Sequence, residues 1–157
     1  MILSRYKLAL IQFNLTLEQV VSNIIKKNEG EIVGLVKNRL YQKGVDGSGD
    51  LITPTYSRET ILLKKKNNKR SSFVTLRESG LFYKGFYLQL SGFDLILNSS
   101  DEKTSALVNK YGVDILEFTE NEKKFIINEI IDPGVEAKIN SLPFLTSSTG
   151  EIELDFF

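Results

Sequence analysis

Apolar residues recur at three- and four-residue steps through Leu17, Val20, Val21, Ile24 and Ile25, and Ile32, Leu35, Val36 and Leu40 continue the stripe. That period belongs to one face of an α-helix and predicts an amphipathic helix to about Gln42. At ~1.5 Å per residue it is roughly 40 Å long. Thr16 and Gln19 have the spacing of a capping box, in which hydroxyl and amide satisfy backbone N–H groups left free at a helix start. Gly30 and Gly34 cost about 1 kcal/mol each relative to alanine inside a helix. They mark a kink, a break into two helices, or a close contact with another backbone. Upstream, Ile2 to Phe13 is apolar with interspersed charge and fits either a short helix or a strand.

Beyond the helix, Gly44 to Gly49 reads as a turn-rich loop. Leu51 to Leu63 holds one short extended segment interrupted by Pro54. Lys64 to Ser72 is polar, basic and rich in Asn and Ser, which predicts an exposed, mobile loop. A short strand is expected at Phe73 to Leu76, and one helical turn capped by Ser79 at Ser79 to Lys84. Phe86, Leu88 and Leu90 alternate with Tyr87 and Gln89, and after Ser91-Gly92 comes Phe93-Asp94-Leu95-Ile96-Leu97. β-rich residues on both sides of a tight glycine turn predict a hairpin over 86–97.

Asp101 to Lys110 predicts a helix capped by Ser100 or Asp101, with Leu107 and Val108 facing the core. Thr119 and Glu122 form a second capping box ahead of Phe125, Ile126, Ile127, Ile130 and Ile131. That helix is expected to end near Asp132-Pro133-Gly134, because proline disfavours helical geometry in the residue before it. Val135 to Leu142 fits one more short helix. Pro143 to Phe157 reads as an extended tail carrying Phe144, Leu145, Ile152, Leu154, Phe156 and Phe157, with strand-like alternation from Glu151 to Phe156. Such a segment docks on a sheet edge of its own body or on a neighbouring subunit. The order of helices, strands, then helices favours an α+β fold. The expected layout is a single domain over 1–142, with a long N-terminal helix packed on a small antiparallel sheet, and a tail over 143–157.

Composition narrows the function. A chain of 157 residues has little room for a second core. No apolar run approaches the ~20 residues needed to span a bilayer, and the first residues lack the order of a signal peptide. A soluble protein made and used in cytoplasm is therefore expected. Cysteine and histidine are both absent. Their absence excludes thiol nucleophiles, disulfides, zinc fingers and every histidine-based general base, metal site or catalytic triad. Net charge is zero, yet Arg58 to Arg70 is strongly basic, and from Asp114 onward only Lys123, Lys124 and Lys138 oppose the acids. Such asymmetry suits head-to-tail contact between copies, a basic edge against an acidic one; two solvated faces are the plainer alternative.

No motif announces catalysis. Asp46-Gly47-Ser48-Gly49-Asp50 starts like a calcium loop, but Leu51 stands where the turn glycine belongs and Ser57 where the bidentate glutamate belongs, leaving a plain turn. No Walker sequence or GxGxxG follows a strand. Ser79 has no base partner of the usual kind. Glu122 is engaged in its helix cap, while Glu117 and Glu120 are expected in solvent. No catalytic, cofactor or metal residue is assigned. Lys64, Lys65, Lys66, Lys69 and Arg70 are the residues with a plausible partner: nucleic-acid phosphates, contacted without sequence preference, or an acidic protein surface. No aromatics interleave them for stacking on single strands.

Leu40-Tyr41-Gln42-Lys43-Gly44-Val45-Asp46-Gly47-Ser48-Gly49 resembles the small turn after a long helix in the tail-completion, neck and virion-morphogenesis proteins of tailed bacteriophages. In those families an aromatic or proline segment, a Ser/Thr and a basic stretch follow, as do Pro54, Tyr56-Ser57, Thr60 and Lys64 to Lys66. Leu76-Arg77-Glu78-Ser79-Gly80-Leu81-Phe82, Lys110-Tyr111-Gly112 and Phe118-Thr119-Glu120-Asn121-Glu122 are similar to later elements of the pattern, although Phe118 stands where leucine is commoner. The likeness covers roughly Leu17 to Ile131, and the Asn-, Lys- and Ile-rich tone is similar to ring proteins of crAss-like phages. The tail over 143–157 departs from the shorter family pattern. The resemblance implies a structural virion protein without enzymatic activity: a subunit of a closed ring, commonly twelvefold, that joins head to tail and extends the DNA channel below the portal. Its implied partners are sister copies, the portal or adjacent neck rings, tail proteins and channel DNA, with no membrane and no cofactor. In that setting Lys64 to Arg70 faces the channel or the next ring, and Phe144, Ile152, Leu154, Phe156 and Phe157 touch a neighbouring subunit. The alternative is a small stand-alone nucleic-acid-binding accessory protein using the basic loop over 64–70.

Overall fold

The structure of the protein, a computed structural model, describes residues 17–141. The readings for Ile2 to Phe13, the Thr16 cap and the tail lie outside the described residues.

The N-terminal apolar stripe forms two helices, α1 over 17–27 and α2 over Glu29–Gln42. The break falls at Asn28, whose side-chain amide donates to the Ile24 carbonyl at 2.8 Å. A short polar side chain that competes for backbone partners disfavours helix continuation. Among the described residues neither Gly30 nor Gly34 meets another backbone, since none of them lies within 4 Å of a Cβ built at either beyond the helix itself. Ile32, Val36 and Leu40, all fully buried, form the centre of the core.

After α2 the extended segment expected from Leu51 reduces to a single antiparallel bridge between Val45 and Leu51. Helix α3, Arg58–Lys66, replaces the rest. Ser57 caps it, accepting the Thr60 amide at 3.2 Å, and Glu59 lies in its positive first turn. The mobile loop read at Lys64 to Ser72 is also corrected. Its first three lysines complete α3, where cations complement the negative helix end, and Lys69 and Arg70 bond carbonyls of neighbouring segments. No strand forms at Phe73 to Leu76. Thr75 donates its amide to the Tyr56 hydroxyl at 2.9 Å and its carbonyl accepts from the Tyr83 hydroxyl, so side chains replace a strand partner.

Helix α4, Leu81–Lys84, follows Gly80, whose φ of 87° is costly for any side chain. Ser79 helps one position earlier than a cap, accepting the Leu81 amide at 3.3 Å. Strands β1, Phe86–Ser91, and β2, Asp94–Ser99, pair antiparallel around Gly92-Phe93, with Leu88 opposite Leu97 and Leu90 opposite Leu95. Phe86, Leu88, Leu90, Leu95 and Leu97 share the inner face, while Tyr87 and Ile96 are exposed on the outer one. Glu29 of α2 accepts the Leu88 amide at 2.9 Å, covering the outer edge of β1. Phe82, Tyr83 and Phe86 stack edge-on beneath the sheet, Phe82 and Phe86 with centroids 4.8 Å apart.

Helix α5, Thr104–Tyr111, leads through a 3-10 turn at Val113–Leu116 to α6, Glu120–Phe125, which carries the capping box read at Thr119 and Glu122. The helix does not stop near Asp132-Pro133-Gly134. It widens into a π-helical segment, Ile126–Ile131, and continues as α7, Asp132–Asn140. Pro133 falls in the first turn of α7, where a missing N–H is tolerated, and the widened turn relieves its ring. Gly134 packs onto α1: a Cβ there lies 2.7 Å from Ile24 Cδ1. The described residues form an α+β fold, with helices gathered around one hairpin. Among the described residues no helix is long and apolar enough to cross a membrane.

Candidate functional site, a cationic cavity beside α3

The last turn of α3, the 76–80 segment and α5 enclose a cavity of about 360 Å³, within the size range of small-ligand sites. Leu76, Phe82, Leu107 and Tyr111 supply apolar surface, and Lys64, Lys69, Arg77, Lys103 and Lys110 supply positive charge. Two carboxylates, Glu78 and Asp101, also border it. Asp101 already accepts the Lys103 amide at 3.1 Å. Leu76 holds a φ of 53°, a left-handed conformation that costs a leucine roughly 1–2 kcal/mol. The strain is sustained by the burial of Val74, Thr75 and Leu76 and by the Tyr56 and Tyr83 hydroxyls on Thr75. Burial also pushes the Tyr83 phenol well above its ordinary range; the phenols of Tyr56 and Tyr41 add to this, and the guanidiniums of Arg77 and Arg39 oppose it.

Lys64 is the distinctive side chain. It is 8% exposed, its Nζ lies 4.6 Å from the Tyr56 ring centroid, and its one side-chain hydrogen bond among the described residues is a long 3.5 Å contact to the Arg77 carbonyl. No carboxylate among the described residues pairs with it; the ion pairs found there are Arg39–Glu122 and Lys123–Glu120. An aromatic face offsets part of the cost of burying an ammonium, and a carboxylate or phosphate oxygen offsets more.

The structure therefore divides the basic cluster expected at 64–70. Lys64 turns inward, whereas Lys65 and Lys66 are exposed. Lys69 borders the cavity and donates to the Glu78 carbonyl at 2.8 Å. Arg70 turns towards α2, donating to the Tyr41 carbonyl at 2.9 Å and the Gln42 carbonyl at 3.2 Å at the helix end. Arg70 and Arg77 lie 5.3 and 4.8 Å from the Tyr41 ring centroid. Phe144, Ile152, Leu154, Phe156 and Phe157 lie outside the described residues.

Sequence reasoning missed Arg77, Lys103 and Lys110. Lys103, Leu107 and Lys110 have the spacing of one helix face, a legible signal, but nothing local shows that this face looks towards α3.

Elsewhere, the Asp46 carboxylate is occupied by its own turn, accepting the Ser48 amide and hydroxyl at 3.0 and 2.6 Å and the Asp50 amide at 3.2 Å. Glu120 is exposed and bonded by Lys123 at 2.8 Å, a contact that lowers the carboxyl pKa and raises that of the ammonium. Among the described residues no group of three or more histidine, cysteine, aspartate or glutamate side chains is placed to hold a metal ion. The chain matches no protein-family model, no curated protein and no solved structure.

Proposed function

We propose that this chain is a structural subunit of a tailed-phage neck, assembling into a closed ring that joins head to tail and extends the DNA channel below the portal. The observation that carries the reading is the cationic wall around the cavity, where Lys64, Lys69, Arg77, Lys103 and Lys110 have no carboxylate partner among the described residues. A surface left with surplus charge of one sign favours a complementary partner, and the acid-rich stretch after Asp114 supplies one on a sister copy. The outer hairpin face adds support. Tyr87 and Ile96 are exposed there, and Phe93 at the turn is 66% exposed. Head-to-tail contacts of this kind join two different faces and generate rings when the rotation closes. The sequence likeness to tail-completion proteins supplies the setting, and a structural rather than catalytic role follows from it.

Protein mass spectrometry of purified virions of the encoding phage tests this. The chain is expected in stoichiometric amount beside portal and tail proteins; its absence from intact virions removes the reading.

Lys65 and Lys66, exposed and without a carboxylate partner among the described residues, favour a second reading, sequence-independent contact with DNA phosphates. It predicts duplex binding that weakens steeply with salt and is lost when both lysines are replaced by alanine. No salt-dependent binding at physiological ionic strength dismisses it.

A further inference from the structure

We infer that the cavity beside α3 is the docking site for the acidic-apolar segment Glu151-Ile152-Glu153-Leu154-Asp155-Phe156 of a second copy of this chain. The inference rests on the ring reading for the choice of a second copy. Its chemistry rests on the cavity.

Lys64 is a buried cation without a counter-ion among the described residues, and it lines a cavity whose border carries five basic side chains against two acidic ones. The ligand that fits must bring carboxylates or phosphates, because burying an ammonium without an anion is costly. It must also bring apolar side chains, because Leu76, Phe82, Leu107 and Tyr111 form part of the lining. A nucleic-acid backbone meets the first requirement and not the second. The segment from Glu151 to Phe156 meets both. Its carboxylates and apolar side chains alternate, and in a strand alternate residues fall on opposite sides. Glu151, Glu153 and Asp155 then face the lysines while Ile152, Leu154 and Phe156 enter the apolar side. Between Ser141, the last described residue, and Glu151 lie nine residues. They span up to roughly 30 Å when extended, enough to cross a subunit boundary.

The chain has no cysteine, so two introduced thiols report one contact. The experiment uses the whole 157-residue chain carrying Lys110→Cys and a mass-tagged copy carrying Asp155→Cys, on the side of the segment that faces the lysines, mixed under mild oxidation. The expected product is a disulfide between the two copies, absent when Ser48→Cys, which is not part of the cavity lining, replaces Lys110→Cys. Its yield falls about tenfold when Lys64→Met is added, the effect of losing a charge-assisted bond of about 1.4 kcal/mol. Lys103→Cys serves as a second cavity position if Lys110→Cys does not fold. No disulfide at either position overturns the inference, as does a double variant that closes only within its own chain. Native mass measured on the same sample before oxidation keeps the two ideas apart: an oligomer without the disulfide removes this docking site and leaves the ring.

Discussion

Arg39 and Glu122, separated by 83 residues, meet Nε to Oε1 at 2.9 Å with side chains only 7% and 11% exposed. The same guanidinium donates to the Val45 carbonyl at 2.9 Å and the Glu117 carbonyl at 2.6 Å, while Glu122 also accepts the Thr119 amide at 2.8 Å. One ion pair thus ties α2, the turn after it and the start of α6 into a unit, with nearly every polar atom satisfied. Replacing Arg39 by Met leaves a buried carboxylate without its cation and is expected to cost about 3–5 kcal/mol. Urea unfolding measures it. The double variant Arg39→Met/Glu122→Gln is expected to lose clearly less than the two single losses added, the signature of direct coupling.

Gly47 and Gly34 make opposite predictions from one substitution. A Cβ at Gly47 lies 2.7 Å from Glu117 Cβ and 2.8 and 2.9 Å from the Glu117 and Asp114 carbonyl oxygens. Backbone cannot easily give way there, and Gly47 also donates its amide to Asp114 at 2.8 Å. Gly47→Ala is expected to destabilise by about 1–3 kcal/mol. At Gly34, inside a helix, a Cβ meets no neighbour among the described residues, so Gly34→Ala is expected to stabilise by up to about 1 kcal/mol. Thermal unfolding of both variants checks the contrast.

Tyr83 sets an alkaline limit. Its phenol is raised in the folded protein by burial, so the unfolded chain ionises first as pH rises. The stability it contributes is complete below an ordinary tyrosine value of about 10 and is lost as pH climbs from there towards the folded value. Tyr83→Phe is expected to cost about 1 kcal/mol near neutrality, for the lost bond to the Thr75 carbonyl, and to flatten the decline above that pH. Urea midpoints measured across the alkaline range separate the two effects.

Much of the framework was legible because its signals are local. The alternation of Phe86, Leu88 and Leu90 and the glycine turn require nothing beyond the hairpin itself, and Thr119 with Glu122 form their cap within one turn. The failures are tertiary. Lys64-Lys65-Lys66 reads as loop because three lysines are polar, yet Ser57 starts a helix that carries them. Only the meeting of α3 with Tyr56 and the Arg77 carbonyl buries the first. Pro133 reads as a stop, but a π-helical turn ahead of it lets the chain continue and bring Gly134 onto Ile24. The cavity was not legible as a site, since its basic residues come from segments whose contact no spacing encodes.

A buried lysine retained for docking rather than for the fold is expected to be dispensable to stability. Lys64→Met keeps the side-chain length and removes a buried charge that has no counter-ion among the described residues, so stability is expected to hold or to rise by about 1 kcal/mol. Urea unfolding reads it, and a loss above about 2 kcal/mol contradicts the assignment of Lys64 to ligand binding.

The most direct test of the central claim is a cryo-EM average of the intact neck with its rotational symmetry counted. The account predicts a closed ring of copies of this fold around the DNA channel, each placing its hairpin and cationic cavity at contacts with neighbours. A well-ordered neck map in which no density fits the α1–α7 fold and its hairpin contradicts it.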